Sequence, residues 1–194
     1  MIVLASTSAT RQAMLRSAGL SFAAAAPHVN ERALVARHPE WTPQDIAVKL
    51  AEAKAIDVSE RHPGAIVIGA DQVLALGAKV YSKPRDVAQC REQLTELRGK
   101  THALVSGAVT ARDGKTCWSC RDEALLTMRN FSDGFLDHYL ERTGSDCTTS
   151  VGAYKIEGLG VQLFETIKGD HFTILGLPLI ALLQHLREAG EVAS

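Results

Sequence analysis

The sequence lacks an excess of charge of either sign: 21 Lys and Arg stand against 22 Asp and Glu, a formal net charge of −1. That balance excludes the basic field with which proteins neutralise nucleic acid backbones or anionic lipid, so no polymer substrate is expected. It also lacks any apolar run near the roughly 18 residues of a membrane span, and Met1-Ile2-Val3-Leu4 carries no basic leader region. A cytoplasmic location away from membranes is the expectation. Cysteine is scarce, and Cys90, Cys117, Cys120 and Cys147 form no disulfide framework for a chain of this length. Cys117 and Cys120 make a C-x-x-C, but in a strand positions three apart point to opposite faces, and no second pair accompanies them. Neither zinc nor a redox couple is expected there. What the chain has is 46% hydrophobic residues over 194 positions, enough for one core in a single domain spanning 1–194.

Apolar Ile2 to Ala5 reads as a buried strand leading through hydroxyl residues into a helix capped by Ser8, with Met14 and Leu15 inward and Gly19 as its stop. Ser21 to Ala26 follows as a second strand. Thr42-Pro43 marks the start of a helix to about Ser59. Ala65 to Leu76 reads as a strand pair or bent strand interrupted around Gly69-Ala70-Asp71, followed by a turn at Gly77 and a short strand ending at Lys83-Pro84. Asp86 caps a helix closing at Gly99, and His102 to Ala111 with Thr116 to Met128 form a hairpin through Asp113-Gly114. Phe131 precedes the Ser132 cap and staples onto Leu136 in a helix ending near Gly144. Gly152 to Gly169 alternates glycine with apolar residues and reads as strands joined by tight turns. Pro178 starts the last helix, with Leu179, Leu182, Leu183 and Leu186 inward. Strands and helices interleave without strict repetition, which predicts an α/β fold with a mixed sheet.

Three features carry chemistry. Ser6-Thr7-Ser8-Ala9-Thr10-Arg11 ends a strand in hydroxyls at a helix start, where free N–H groups and the dipole favour an anion, although an ordinary cap with a surface arginine reads the same way. Lys54 falls inside the apolar arc of Ile46, Ala47, Leu50, Ala51 and Val58, pointing either into a cleft or along the core to water. Asp71 lies among aliphatics at 66–68 and 73–76, where a carboxylate is costly unless paired, hydrogen-bonded or metal-bound; its alternative is a turn aspartate at the Gly69-Ala70 bend. With Glu31 and Lys83 these residues suit phosphoryl chemistry, two carboxylates for Mg²⁺ and Arg11, Lys54 and Lys83 for triphosphate oxygens. His102 and His171 have no metal-ligand spacing and read as core or hydrogen-bonding histidines. Gly158-Leu159-Gly160 is no dinucleotide fingerprint.

Taken together, Leu4 to Arg11, Val29-Asn30-Glu31, Ala51 to Ala55, Gly69 to Val73, Lys83-Pro84, Gly152 to Gly158 and Gly176 to Leu179 resemble the Maf family in order and spacing over nearly the whole chain. The resemblance implies an elongated mixed β-sheet flanked by helices with a central cleft, as in Maf and ITPase-like folds. It also implies a homodimer, a divalent metal (Mg²⁺ or Mn²⁺) and cleavage of nucleoside triphosphates between the α and β phosphates. By the same resemblance Asp71 is the general base, or with Glu31 a metal ligand, and Ser6, Ser8, Arg11, Glu31, Lys54 and Lys83 contact the triphosphate and metal. The chain departs from the family's usual pattern at Ala9-Thr10, Asn30 and Ser150-Val151, losing one cation and one carboxylate. At the specificity positions the dTTP/UTP branch carries an arginine, a threonine and a glutamine where this chain has Thr10, Gln72 and Glu157, and Gln72 and Glu157 instead resemble the 7-methyl-GTP branch. The family is also linked to arrest of septum formation, which leaves open a nucleotide-responsive regulator, and hydrolysis of another phosphoanhydride is a further alternative.

Overall fold

The computed structural model describes residues 1–193. In chain order its elements are β1 (Ile2–Ala5), α1 (Ala9–Ser17), β2 (Ala23–Ala24), α2 (Glu31–Ala36), α3 (Pro43–Glu60), β3 (Ile66–Leu76), β4 (Lys79–Tyr81), α4 (Val87–Leu97), β5 (Thr101–Arg112), β6 (Lys115–Met128), α5 (Asp133–Thr143), β7 (Phe164–Lys168), α6 (His171–Ile174) and α7 (Leu179–Glu188). The strands form a mixed sheet in the order β2-β1-β3-β5-β6-β7, with β4 paired to β3. The α/β class with a mixed, helix-flanked sheet is as the sequence predicts.

The chain divides into two compact units: Met1–Gln72 with Val105–Glu123 and Asp170–Ser194, and Val73–Leu104 with Ala124–Gly169. In the first, β1 pairs in parallel with β2 and with β3. Its core gathers Leu4, Leu15, Ile68, Leu177, Leu182 and Leu186, so the inward faces of α1 and α7 are those the helical period selects. Thr42 and Asp45 close a reciprocal capping box at the start of α3. That helix then lies flush on the sheet, because Ala47, Ala51 and Ala55 recur every fourth residue on its buried face. They meet two glycines. A Cβ on Gly69 would fall 2.1 Å from the Ala51 carbonyl oxygen, and one on Gly107 would fall 2.6 Å from that of Ala47.

In the second unit β4 folds back antiparallel on the end of β3, and β7 pairs antiparallel with the end of β6. Asp86 and Ser132 cap α4 and α5 as their types predict, and Phe131 and Leu136 are both buried. His102 is also buried; its Nε2 lies 2.7 Å from the Tyr154 hydroxyl, and its Nδ1 has no hydrogen-bond partner among the described residues. Burial pushes this imidazole down to about 4.

Four sequence expectations need correction. β3 is one continuous strand: Gly69 reads as a break, but it is there to admit α3. The expected strand over 21–26 shrinks to Ala23–Ala24. Within 152–169 only β7 is a strand, the rest being 3₁₀ turns at 151–153 and 159–163, where Gly152 at φ +75° breaks an extended course. His171 is exposed at the first position of α6 rather than buried.

Candidate active site

The expected site residues of the first unit come from four separate stretches of chain. Asp71 is on β3, Lys54 on the buried face of α3, Glu31 at the first position of α2, and Arg11 in the first turn of α1. Lys54 Nζ donates to Asp71 Oδ1 at 2.6 Å and lies 2.7 Å from Glu31 Oε1, so one ammonium joins two carboxylates. The snorkelling reading of Lys54 is thereby excluded, since its 7% exposure reflects a buried pair with Asp71, itself 8% exposed. Asp71 is likewise no turn cap: it is extended inside an unbroken strand.

Burial pushes the Asp71 carboxyl above the ordinary carboxylate range, against the pull of Lys54 and Arg11 and with a small push from Glu31. The same desolvation lowers the Arg11 guanidinium, opposed by the charges of Asp71 and Glu31. Removing Lys54 would leave the buried Asp71 carboxylate without its nearest cation, which is costly.

The hydroxyls at the end of β1 shape the entry to α1. Ser6 Oγ accepts from the Ser8 amide at 3.1 Å, and Ser8 Oγ accepts from the Arg11 amide at 3.4 Å as the helix cap. Thr10 is half-buried in the same turn. Asn30 Oδ1 accepts from the Ala33 amide and caps α2, a task asparagine and aspartate perform equally, so Glu31 is still held at the helix start.

Sequence reasoning missed how Arg11 and Gln72 are held. Arg11 Nε donates to the Gly176 carbonyl at 2.8 Å. Gln72 Nε2 lies 3.0 and 2.9 Å from the carbonyls of Thr173 and Ile174 and 3.1 Å from Ser106 Oγ, which itself donates to Thr173 at 2.8 Å. Pro178 marked the start of the last helix, but nothing in the spacing links the residues before it to position 11 or 72.

Two expected residues belong to the second unit. Lys83 is exposed between β4 and α4. Glu157 is exposed in the turn closed by the Gly158 amide on the Lys155 carbonyl, and with Lys155, Tyr139 and Tyr154 it lines a small recess of about 90 Å³.

The point on which Glu31 and Asp71 converge is the Lys54 ammonium, so a divalent metal would be held beside it by one or two of these carboxylates, with its remaining positions taken by substrate phosphates, as is common for Mg²⁺. Among the described residues no group of three or more His, Cys, Asp or Glu could cage a metal on protein ligands alone. No described helix is long and apolar enough to cross a membrane.

A family model described as Maf-like protein matches residues 1–189. The chain is 52% identical to a 7-methyl-GTP pyrophosphatase of Brucella abortus over 188 residues, covering 96% of this chain and 94% of that protein. It is 50% identical to the protein of the same name from Mesorhizobium japonicum, over 98% of this chain and 97% of that one. A nucleoside triphosphate pyrophosphatase of Paramagnetospirillum magneticum is 50% identical, with 98% and 99% covered.

Proposed function

The chain belongs to the Maf-like protein family, and from that premise we propose that it hydrolyses a nucleoside triphosphate to the monophosphate and pyrophosphate. The observation that carries the proposal is the Glu31–Lys54–Asp71 set beside Arg11, a buried carboxylate held next to two cations. Asp71, whose carboxyl is raised by burial, is a stronger base than an exposed aspartate and accepts the proton of a water as it attacks the α-phosphorus. Arg11 and Lys54 take up the charge that grows on the departing pyrophosphate, and the Ser6–Ser8 entry to α1 presents the helix start to phosphate oxygens. Glu31 and Asp71 would hold Mg²⁺ or Mn²⁺, which supplies Lewis-acid neutralisation of the phosphates.

The finer substrate reading is a 7-methyl-GTP-like purine, supported by the names of two relatives and by Thr10, Gln72 and Glu157. A carboxylate such as Glu157 accepts from the N–H groups of a guanine Watson–Crick edge. Lys83 as a phosphate contact rests on the family resemblance, as does a homodimer. The test is turnover of a panel of 7-methyl-GTP, GTP, dTTP and UTP with Mg²⁺ or Mn²⁺. Preferential release of pyrophosphate from 7-methyl-GTP is expected; preference for dTTP or UTP overturns the substrate reading, and no turnover of any nucleotide overturns the enzyme.

A further inference from the structure

Among the described residues only two other than glycine take a positive φ: Asp113, in the hairpin turn that calls for it, and Ala153, buried at φ +62°. A left-handed alanine is disfavoured and persists only where its surroundings hold it. The Ala153 carbonyl accepts from the Tyr139 hydroxyl at 2.9 Å, and Ser150 Oγ donates to the Tyr154 carbonyl at 2.6 Å. Gly152 is left-handed too, at φ +75°, and a Cβ on it would stand 2.5 Å from Leu74 Cδ1 and 2.7 Å from the Tyr154 ring. Tyr154 is buried edge-on against Phe164, with centroids 4.8 Å apart, and its hydroxyl meets His102 Nε2 at 2.7 Å. Three residues on, through the turn closed by Lys155 and Gly158, the chain brings Glu157 to the recess that Tyr139 and Tyr154 also line.

His102 is a costly way to fill this core. It is buried with Nδ1 unpartnered among the described residues, and an apolar ring would occupy the same space without an unpaired polar atom. Its single hydrogen bond, to Tyr154, is what an apolar ring would lack. We infer that His102 and Tyr154 are positioning residues for substrate choice: their hydrogen bond holds the left-handed 152–154 turn and, through it, sets the place of Glu157. The inference deepens the proposed base contact of Glu157 and rests on it for its kinetic arm. Breaking the bond weakens discrimination between bases and spares the reaction at the phosphates, whose proposed groups Arg11, Glu31, Lys54 and Asp71 lie on other stretches of chain.

The test measures kcat/KM for 7-methyl-GTP and UTP, which share the triphosphate and differ in the base, in His102→Phe, Tyr154→Phe and the double variant. Each single variant is expected to lower the 7-methyl-GTP to UTP ratio about fivefold or more with the UTP value nearly unchanged, and to melt lower because it leaves a buried polar group unpaired. The double variant packs three apolar rings and regains stability, yet its ratio stays low because the bond is still missing. A ratio that recovers together with stability makes the pair merely structural and overturns the inference, as does an unchanged ratio in the single variants. In a Glu157→Ala background Tyr154→Phe is expected to change the ratio no further; an undiminished loss there also overturns it. Tyr154→Phe, which removes one oxygen, carries the test if His102→Phe does not fold. A second readout needs no turnover: the Gly158 amide, which closes the turn on Lys155, is expected to exchange its hydrogen faster in Tyr154→Phe and in the double variant, and unaltered exchange overturns the inference. A wild-type protein inactive on all nucleotides defeats the pyrophosphatase reading, and a ratio unmoved by Glu157→Ala alone defeats the base contact; in either case amide exchange decides whether the pair holds the turn.

Discussion

Replacing Gly69 by alanine tests whether the close seating of α3 matters to the site it carries. The added methyl would start 2.1 Å from the Ala51 carbonyl oxygen and 2.8 Å from both the nitrogen and the Cβ of Ala55. These are backbone or backbone-fixed atoms that cannot swing aside, so the helix must retreat by roughly 1 Å to restore ordinary contact. Lys54 lies between Ala51 and Ala55 on that helix, and its 2.6 Å bond to Asp71 would open to the edge of hydrogen-bonding range. Overpacking of this kind costs about 1–3 kcal/mol, and a 1 Å misplacement costs on the order of 10²-fold in rate. Gly69→Ala should therefore lose roughly 10- to 100-fold in kcat well below its melting temperature. Gly107→Ala meets the same helix at Ala47, two turns before Lys54, and should lose comparable stability with a smaller kinetic loss. Steady-state kinetics and thermal denaturation of both variants decide it. Parental kcat in Gly69→Ala, or kinetic losses that follow stability alike in both, would refute the reasoning.

Three other perturbations separate the roles of single groups. Asp71→Asn should lower kcat by about 10² to 10⁴ and abolish the acid limb of the pH–rate profile, with Tm unchanged or raised, because the fold disfavours the ionised carboxyl at neutral pH. Retained kcat with a lower Tm would make Asp71 structural, and rescue by excess Mg²⁺ would make it chiefly a metal ligand. Lys54→Met removes the cation that opposes the desolvation of Asp71, so its carboxyl rises further and the acid limb of kcat/KM moves to higher pH; an unmoved limb contradicts the pairing. His102, held at about 4 against an ordinary 6.5, stays neutral in the fold while the unfolded chain takes up a proton first, so stability falls as pH drops from about 6.5 toward 4. That contribution is about 3 kcal/mol, and urea unfolding of His102→Gln should show a correspondingly flatter pH dependence; equal slopes would refute it.

Local rules made much of this molecule legible. Ser8, Thr42, Asp86 and Ser132 announce helix starts because capping is a short-range bond between a side chain and an amide three residues on. Asp113-Gly114 announces the hairpin because both residues take positive φ. Lys54 and Asp71 stood out because a charge at an apolar position needs a partner, and each turned out to be the other's. No local rule links Glu31 to them, since a 23-residue separation along an irregular chain carries no period; charge logic and the family resemblance grouped it with them. Gly69 misled for a related reason: its role is set by a helix packed across the sheet, so the local rule that glycine interrupts a strand gave a break where none exists. The tie from Arg11 to Gly176 spans 165 positions and is visible only in three dimensions.

The central claim is that water attacks the α-phosphorus next to Asp71 and expels pyrophosphate. Hydrolysis of 7-methyl-GTP in ¹⁸O-labelled water, with both products resolved by mass spectrometry, tests it directly. The account predicts nucleoside monophosphate and pyrophosphate in equal amounts, with the label in the monophosphate alone. Label in the pyrophosphate, or inorganic phosphate and a diphosphate as first products, would contradict it.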